Sequence, residues 1–226
     1  MKAMILAAGR GERLRPLTDE TPKPLIQAGP KRLIEYLIDN LVAAGFNDLI
    51  INYAHLGKQF PETLGDGSRY KARIQYSPET EGGLETAGGI IHALPLLGNE
   101  PFLVVNGDIW TDYDFESMRE FRLASGKLCH LVMVNNPTHN PTGDFVVDDK
   151  GNLATEGTQK WTFSGIAVYH PALFSGLSSE KRPLKPLFER AIQHQQATAE
   201  VYKGEWSDIG TLERLQALEK QLSKQA

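Results

Sequence analysis

Short apolar runs alternate with helical patterns along the first half of the chain, and this alternation constrains the fold more than any other feature. The apolar runs predict buried strands at residues 2–8, 49–52, 74–77, 102–105 and 128–134. Apolar residues at helical spacing predict helices at residues 33–44, 55–64 and 86–94. Strands that alternate with helices are typical of a mostly parallel sheet with helices on both faces. We therefore predict one α/β domain.

The pattern changes from residue 135 onward, where proline and glycine separate shorter apolar stretches. These stretches predict short strands at residues 145–147, 152–154 and 162–169. We expect the three strands to form a smaller mixed or antiparallel layer. A helix is predicted at residues 184–194 and an edge strand at 199–202. Leucines recur after Gly210 at helical spacing, and we expect this terminal helix to pack on its own domain.

The N-terminal segment is basic although the whole chain is acidic. The 226 residues include 24 Lys and Arg and 28 Asp and Glu, for a net charge of −4, yet residues 1–32 hold seven basic and three acidic residues. A duplex nucleic acid requires a broad basic face, which this distribution does not offer. We therefore expect a small polyanion to bind the N-terminal segment and no nucleic acid partner.

Cysteine content and hydropathy exclude further classes of protein. Cys129 is the only cysteine, so a disulfide scaffold and a metal site built from several cysteines are both excluded. No apolar run approaches the roughly 20 residues that a membrane span needs, and the apolar start is too short for a signal peptide. We expect a cytoplasmic protein with no membrane partner. The sequence leaves the oligomeric state open.

A loop rich in glycine and basic residues follows the first predicted strand. It reads Leu-Ala-Ala-Gly-Arg-Gly-Glu-Arg-Leu-Arg-Pro-Leu at residues 6–17 and Thr-Pro-Lys-Pro-Leu at residues 21–25. Glycines let backbone N–H groups approach a phosphate chain, and Arg13 and Lys23 can neutralise phosphate oxygens. The loop lacks the third glycine of a dinucleotide fingerprint and the Gly-Lys-Ser/Thr of a Walker A motif. The alternative is a solvated basic loop without a ligand. The combination of glycines and basic residues over residues 6–25 favours a phosphate-binding site.

Two carboxylates are candidates for a Mg²⁺ site. Asp108 directly follows the strand predicted at 102–105, so it lies at the carboxyl edge of a parallel sheet, where ligands bind. Mg²⁺ takes oxygen ligands and shares its coordination shell with substrate phosphates. Asp108 could instead have a structural role, as a helix cap or a turn residue. Asp208 lies in a Trp-x-Asp-x-Gly-Thr context, and its alternative structural role is in the N-cap region of the terminal helix.

Residues 6–17 and 22–25, together with Leu84–Gly89, Asn106–Asp108 and Trp206–Thr211, resemble the sugar-1-phosphate nucleotidyltransferases over most of the chain. The resemblance implies a single-domain Rossmann-like fold in which a nucleoside triphosphate is joined to a sugar 1-phosphate with release of pyrophosphate. It implies Mg²⁺ held jointly by Asp108 and Asp208. Residues 1–134 would form the nucleotide-binding half, and residues 135–226 the half that binds the sugar and supplies the second metal ligand.

The same resemblance implies roles for particular side chains. The implied catalytic residues are Arg13, Lys23 and Asp108. The implied nucleotide-binding residues are Ala8, Gly9, Gly11, Glu12, Arg13, Lys23 and Gly88, with Gly88 near the nucleobase. The implied sugar-binding residues are Glu85, Asn106 and Asp144.

Two departures narrow the resemblance within the family. The chain is short, and no Glu-Lys-Pro motif precedes Phe163-Ser164-Gly165, so the usual lysine for the sugar phosphate is missing. What remains is similar to the short uridylyltransferases that act on N-acetylmuramic acid 1-phosphate in peptidoglycan recycling. The matching stretches are residues 51–57, 64–68, 84–90, 105–115 and 163–166. The alternatives are a mannose-1-phosphate guanylyltransferase, a glucose-1-phosphate thymidylyl- or uridylyltransferase, and a non-catalytic nucleotide-binding sensor.

Overall fold

The chain folds around a seven-stranded sheet in the computed structural model, which describes residues 1–80 and 82–225. The strands in chain order are β1 (Ala3–Leu6), β2 (Gln27–Ala28), β3 (Lys31–Arg32), β4 (Asp48–Tyr53), β5 (Arg73–Pro78), β6 (Phe102–Asn106), β7 (Ile109–Thr111), β8 (Cys129–Val134), β9 (Val146–Val147), β10 (Leu153–Ala154), β11 (Thr162–Tyr169), β12 (Ala197–Tyr202) and β13 (Trp206–Asp208). The large sheet has the order β12-β8-β11-β6-β1-β4-β5. Strands from both sides of residue 134 belong to it, and the division of binding roles at that residue stays a prediction.

The predicted mostly parallel sheet is confirmed. β6, β1, β4 and β5 pair in parallel, and so do β8 and the edge strand β12. The expectation that residues 162–169 belong to a smaller layer is wrong, because β11 lies in the large sheet, antiparallel to both β6 and β8. Seven of its eight residues are buried, as in a central strand that is covered on both faces. The smaller layer consists of the β9–β10 hairpin alone among the strands described.

Helices cover both faces of the sheet, as predicted. They are α1 (Leu17–Glu20), α2 (Leu33–Ala43), α3 (Gln59–Leu64), α4 (Glu85–Leu97), α5 (Phe115–Glu120), α6 (Lys185–Gln193) and α7 (Leu212–Gln225). Successive strand residues point to opposite faces, so Met4 packs with α4 and α6 while Ala3 and Ile5 pack with α2, α3 and α5. None of the helices described is long and apolar enough to cross a bilayer.

The sequence pattern predicted the start of α3 incorrectly and the packing of α7 correctly. The helix predicted from residue 55 begins only at Gln59, because Leu56 adopts a left-handed φ of 52° that a right-handed helix does not tolerate. The terminal helix α7 packs on its own domain, as expected. Its Leu215 and Leu218 are buried against Leu14 and Leu33. α7 thereby rests against the segment that carries Arg13.

Candidate active site

A cavity of about 1380 Å³ opens at the carboxyl ends of β1, β4 and β6. Its wall includes residues 6–13 from the end of β1 onward, residues 52–59 from the end of β4 onward, Asn106 at the end of β6, and Asp108 just after it. This is the sheet edge at which ligands bind in open α/β folds. The predicted phosphate loop and the predicted metal ligand Asp108 therefore face one cavity.

The glycine-rich loop after β1 is shaped to leave its amides available. Gly11 has a φ of 69°, and its carbonyl accepts a hydrogen bond of 2.9 Å from the Thr18 hydroxyl. A short 3-10 helix, Glu12–Leu14, follows at once. In the part of the chain described here, the backbone N–H groups of residues 9–12 have no protein acceptor. Because residues 9–12 line the cavity, their backbone N–H groups are candidates to bind a phosphate chain.

Lys23 and Asp108 form an ion pair at the floor of this loop. Lys23 lies in a 3-10 helix, Lys23–Leu25, and only 8% of the residue is exposed. Its ammonium group contacts the Oδ2 atom of Asp108. Asp108 is held in place because the preceding amide of Gly107 donates a hydrogen bond of 2.8 Å to the Leu6 carbonyl. The structure thus brings these two predicted catalytic side chains together, while their catalytic roles stay predictions.

A short antiparallel ribbon brings Asp208 beside Asp108. β13 pairs with β7, so that Asp208 lies opposite Ile109, and the Ile209 amide donates a hydrogen bond of 2.7 Å to the Asp108 carbonyl. The sequence does not predict β7 or β13, because three residues are too few to show a periodic pattern. Asp208 therefore ends a strand and precedes α7, rather than capping it.

The two carboxylates fit a Mg²⁺ ion whose shell is completed by substrate. No group of three or more His, Cys, Asp or Glu side chains suited to a metal occurs within the described residues, so the protein alone forms no closed cage. Mg²⁺ does not require one, because it usually keeps several waters and is held by one or two carboxylates plus phosphates. Across residues 1–80 and 82–225, neither Oδ1 of Asp108 nor Oδ2 of Asp208 accepts a hydrogen bond. One oxygen of each carboxylate thus stays available.

Asn106, the predicted sugar contact at the end of β6, packs against a bulge in the neighbouring strand β11. The pairing of β11 with β8 shifts register between Phe163 and Ile166, and Gly165 there has a φ of 83°. A Cβ atom on Gly165 would lie 2.5 Å from Asn106 Nδ2, so the glycine makes room for the amide. Asn106 reaches the cavity wall at this point.

The structure does not bring every predicted residue to the cavity. Glu85 lines the cavity at the start of α4, with a left-handed φ of 59°. Asp144 is absent from the wall, and its Oδ2 accepts a hydrogen bond of 2.8 Å from the Phe163 amide. Gly88 and Asp208 are also absent from the wall. Gly88 packs under the backbone of Glu180, whose carbonyl oxygen would lie 2.1 Å from a Cβ at position 88. The binding roles of Asp144 and Gly88 stay predictions.

Asn52 and Glu79 are cavity residues that the sequence analysis missed. Asn52 is 2% exposed; its Oδ1 accepts a hydrogen bond of 2.9 Å from the Ala7 amide, and its Nδ2 donates one of 2.6 Å to Glu79 Oε1. Glu79 Oε2 accepts a hydrogen bond of 2.7 Å from the Leu84 amide. The network fixes the ends of β1 and β4 to the start of α4. A polar residue near the end of the apolar run at 49–52 was the available signal.

Comparisons with known proteins found similar sequences and a similar fold. The chain is 48% identical over 222 residues to the N-acetylmuramate alpha-1-phosphate uridylyltransferase of Neisseria meningitidis serogroup B, with 95% of each chain covered. It is 31% identical to a mannose-1-phosphate guanyltransferase of Hypocrea jecorina, where the match covers 93% of this chain but 61% of that relative. The fold resembles a Bacillus anthracis crystal structure described as a glucose-1-phosphate thymidylyltransferase, with a TM-score of 0.85 at 21% identity, covering 98% of this chain and 94% of that one.

A family model described as nucleotidyl transferase matches residues 2–225, which is nearly the whole chain. The resemblance inferred from the motifs is confirmed by this match and by the identity to the Neisseria relative. The chain therefore belongs to the nucleotidyl transferase family.

Proposed function

We propose that the protein transfers the uridylyl group of UTP to N-acetylmuramic acid 1-phosphate, with Mg²⁺, and releases pyrophosphate. The observation that carries this proposal is the 48% identity to the Neisseria uridylyltransferase over 95% of both chains. The family model covers residues 2–225, a range that includes the loop at 6–25, Asp108 and Asp208.

Nucleotidyl transfer of this kind needs positioning more than covalent help. An oxygen of the sugar phosphate attacks the α-phosphorus of UTP in line, and the bond from that phosphorus to the bridging oxygen breaks as the new bond forms. Pyrophosphate leaves with the electron pair of the broken bond. The attacking oxygen is already anionic, so no general base is required. Catalysis then comes from holding the two substrates in line and stabilising the developing charge.

The residues of the cavity can supply that stabilisation. The free amides of residues 9–12 and the guanidinium of Arg13 would bind the triphosphate. The ammonium of Lys23, held over Asp108, would stabilise charge on the α-phosphoryl oxygens. Asp108 and Asp208 would hold Mg²⁺, which neutralises phosphate charge when it is bound. Asn106 and Glu85 would contact the sugar at the other side of the cavity.

A second candidate is guanylyl transfer to mannose 1-phosphate. It is supported by relatives such as the Hypocrea guanyltransferase, at 31% identity. The chain spans 61% of that relative. The identity is lower than that to the uridylyltransferase, and we therefore favour UTP and the muramyl substrate.

Pyrophosphate release measured across a substrate panel tests the proposal. The panel combines UTP, GTP and dTTP with the 1-phosphates of N-acetylmuramic acid, N-acetylglucosamine, glucose and mannose, in the presence of Mg²⁺. We expect release with UTP and the muramyl phosphate, and loss of release in Lys23→Ala. Release only with GTP and mannose 1-phosphate would establish the second candidate. Absence of release across the panel would overturn both.

A further inference from the structure

The carboxylate of Asp208 is engaged on one side only. Its Oδ1 atom lies 2.5 Å from Nη1 of Arg214 and 3.1 Å from Nε2 of His139. Over the described part of the chain, its Oδ2 atom accepts no hydrogen bond. Arg214 comes from α7 and has a side chain that is 19% exposed, whereas His139 comes from the loop between β8 and β9. Arg214 donates a hydrogen bond to this oxygen, and His139, from a separate segment, contacts the same oxygen.

The other end of the Arg214 guanidinium lies at the cavity wall. A Cβ atom on Gly210 would lie 2.5 Å from Arg214 Nη2 and 2.9 Å from Arg13 Nη2. Gly210 lines the cavity, so the two guanidinium groups meet over a wall residue that has no side chain. Arg214 thus spans the distance from Asp208 to the loop that carries Arg13. The planar guanidinium fixes the direction of each hydrogen bond that it donates.

We propose that Arg214, supported by His139, is a positioning residue that holds Asp208 with its Oδ2 presented to the metal–nucleotide complex. The proposal rests on the proposed function, because it takes Asp208 as a ligand of the Mg²⁺ that accompanies UTP. A carboxylate that is free to rotate must be ordered when the metal binds, whereas Arg214 orders it beforehand. Outer partners of this kind typically change metal affinity by about 10- to 100-fold.

The opposite outcome is physically possible, which makes the proposal testable. Arg214 is a cation 2.5 Å from a ligand of another cation. If it acted only as a competing counter-ion, its removal would tighten metal binding. If α7 needed Arg214 only for folding, its removal would lower thermal stability and leave the metal affinity unchanged.

The test measures Mn²⁺ binding to the enzyme with UTP and without sugar phosphate, by electron paramagnetic resonance titration. The variants are Arg214→Ala, Arg214→Lys and His139→Ala. The matched control is Arg73→Ala. This variant removes an exposed ion pair between Arg73 and Asp48, whose atoms are 2.7 Å apart and lie away from the cavity. A second readout is the Mg²⁺ concentration at half-maximal pyrophosphate release.

We expect Arg214→Ala to weaken Mn²⁺ binding by about tenfold or more and to raise the Mg²⁺ requirement by a similar factor. Arg214→Lys should recover part of the lost affinity, His139→Ala should lose less affinity than Arg214→Ala, and Arg73→Ala should match the parent.

Unchanged or tighter Mn²⁺ binding in folded Arg214→Ala would overturn the proposal, as would a parent enzyme without a Mn²⁺ site. If Arg214→Ala fails to fold, Arg214→Lys and His139→Ala decide by the same criterion. A parent that releases no pyrophosphate, but whose Mn²⁺ affinity depends on Arg214, would overturn the proposed function and leave this inference standing.

Discussion

The ammonium group of Lys23 contacts the carboxylate of Asp108, although the two residues are 85 positions apart in the chain. Lys23 is buried at the end of the glycine-rich segment, and Asp108 follows the central strand β6. The pair therefore connects the glycine-rich loop to the sheet edge. One oxygen of Asp108 faces the lysine, and within residues 1–80 and 82–225 the other accepts no hydrogen bond.

Removing either member of this pair should abolish most of the activity. We expect Lys23→Ala and Asp108→Asn to lower kcat by about 10²- to 10³-fold or more, because each removes a preorganised charge at the reacting phosphate. Steady-state pyrophosphate release measures the change. Lys31→Ala is the matched control, since Lys31 pairs with Asp39 at 2.6 Å on the exposed surface. Near-normal turnover in folded Lys23→Ala or Asp108→Asn would contradict the assignment.

Gly11→Ala should weaken nucleotide binding beyond its effect on stability. The left-handed backbone at Gly11 costs a residue with a Cβ atom about 1–2 kcal/mol. That Cβ would also lie 2.9 Å from Thr18 Cγ2 and 3.0 Å from Lys23 Cβ, so the loop and Lys23 must shift. We expect KM for the nucleoside triphosphate to rise by about tenfold, which corresponds to 1.4 kcal/mol.

Gly126→Ala separates the two effects. Gly126 has a similar φ of 78°, and nothing lies within 4 Å of its Cβ position. The variant should show the loss of stability in thermal unfolding with an unchanged KM. If both variants changed KM equally, crowding at Lys23 would not explain the effect at Gly11.

The local sequence pattern predicted residues that the structure brings together at one cavity, and their roles stay predictions. Lys23 and Asp108 were identified because each stands at a fixed place beside a glycine-rich or strand-end motif. β11 was assigned to the wrong layer because its antiparallel partners, β6 and β8, are distant in the chain, and no local periodicity specifies them. The contacts of Asp208 with Arg214 and His139 were missed for the same reason. The ribbon that carries Asp208 forms only when tertiary pairing supplies β7.

Asn52→Asp should destabilise the protein at neutral pH. The substitution replaces the amide donor, 2.6 Å from Glu79 Oε1, with a second carboxylate in a buried position. We expect the free energy of unfolding to fall by about 1–3 kcal/mol, the cost of an unsatisfied buried polar group. Protonation of either carboxyl group restores a donor, so the deficit should shrink as the pH falls toward 5. Urea denaturation at several pH values measures it, and exposed Asn47→Asp is the control. A deficit that is independent of pH would contradict this account.

Glu200 should contribute stability that is lost in acid. The imidazole of His130, with Nε2 3.7 Å from Oε2, and the hydroxyl of Tyr113 lower the pKa of Glu200, although burial opposes them. A group whose pKa is lower in the folded state stabilises that state above its unfolded pKa, which is about 4.3 for glutamate. The contribution is lost as the pH falls below that value and through the folded pKa. We therefore expect Glu200→Gln to lower the free energy of unfolding at pH 7 and to converge with the parent in strong acid.

The comparison needs a glutamate that lacks these neighbours. Glu156 is exposed and makes no ion pair among the residues described, so Glu156→Gln should follow the parent at every pH. The measurement is urea denaturation from pH 7 to pH 3 for the parent and both variants. A difference between Glu200→Gln and the parent that persisted undiminished at pH 3 would assign the effect to packing at Tyr113 rather than to the charge of Glu200. Convergence would assign it to the carboxylate, since only a charge effect is removed by protonation.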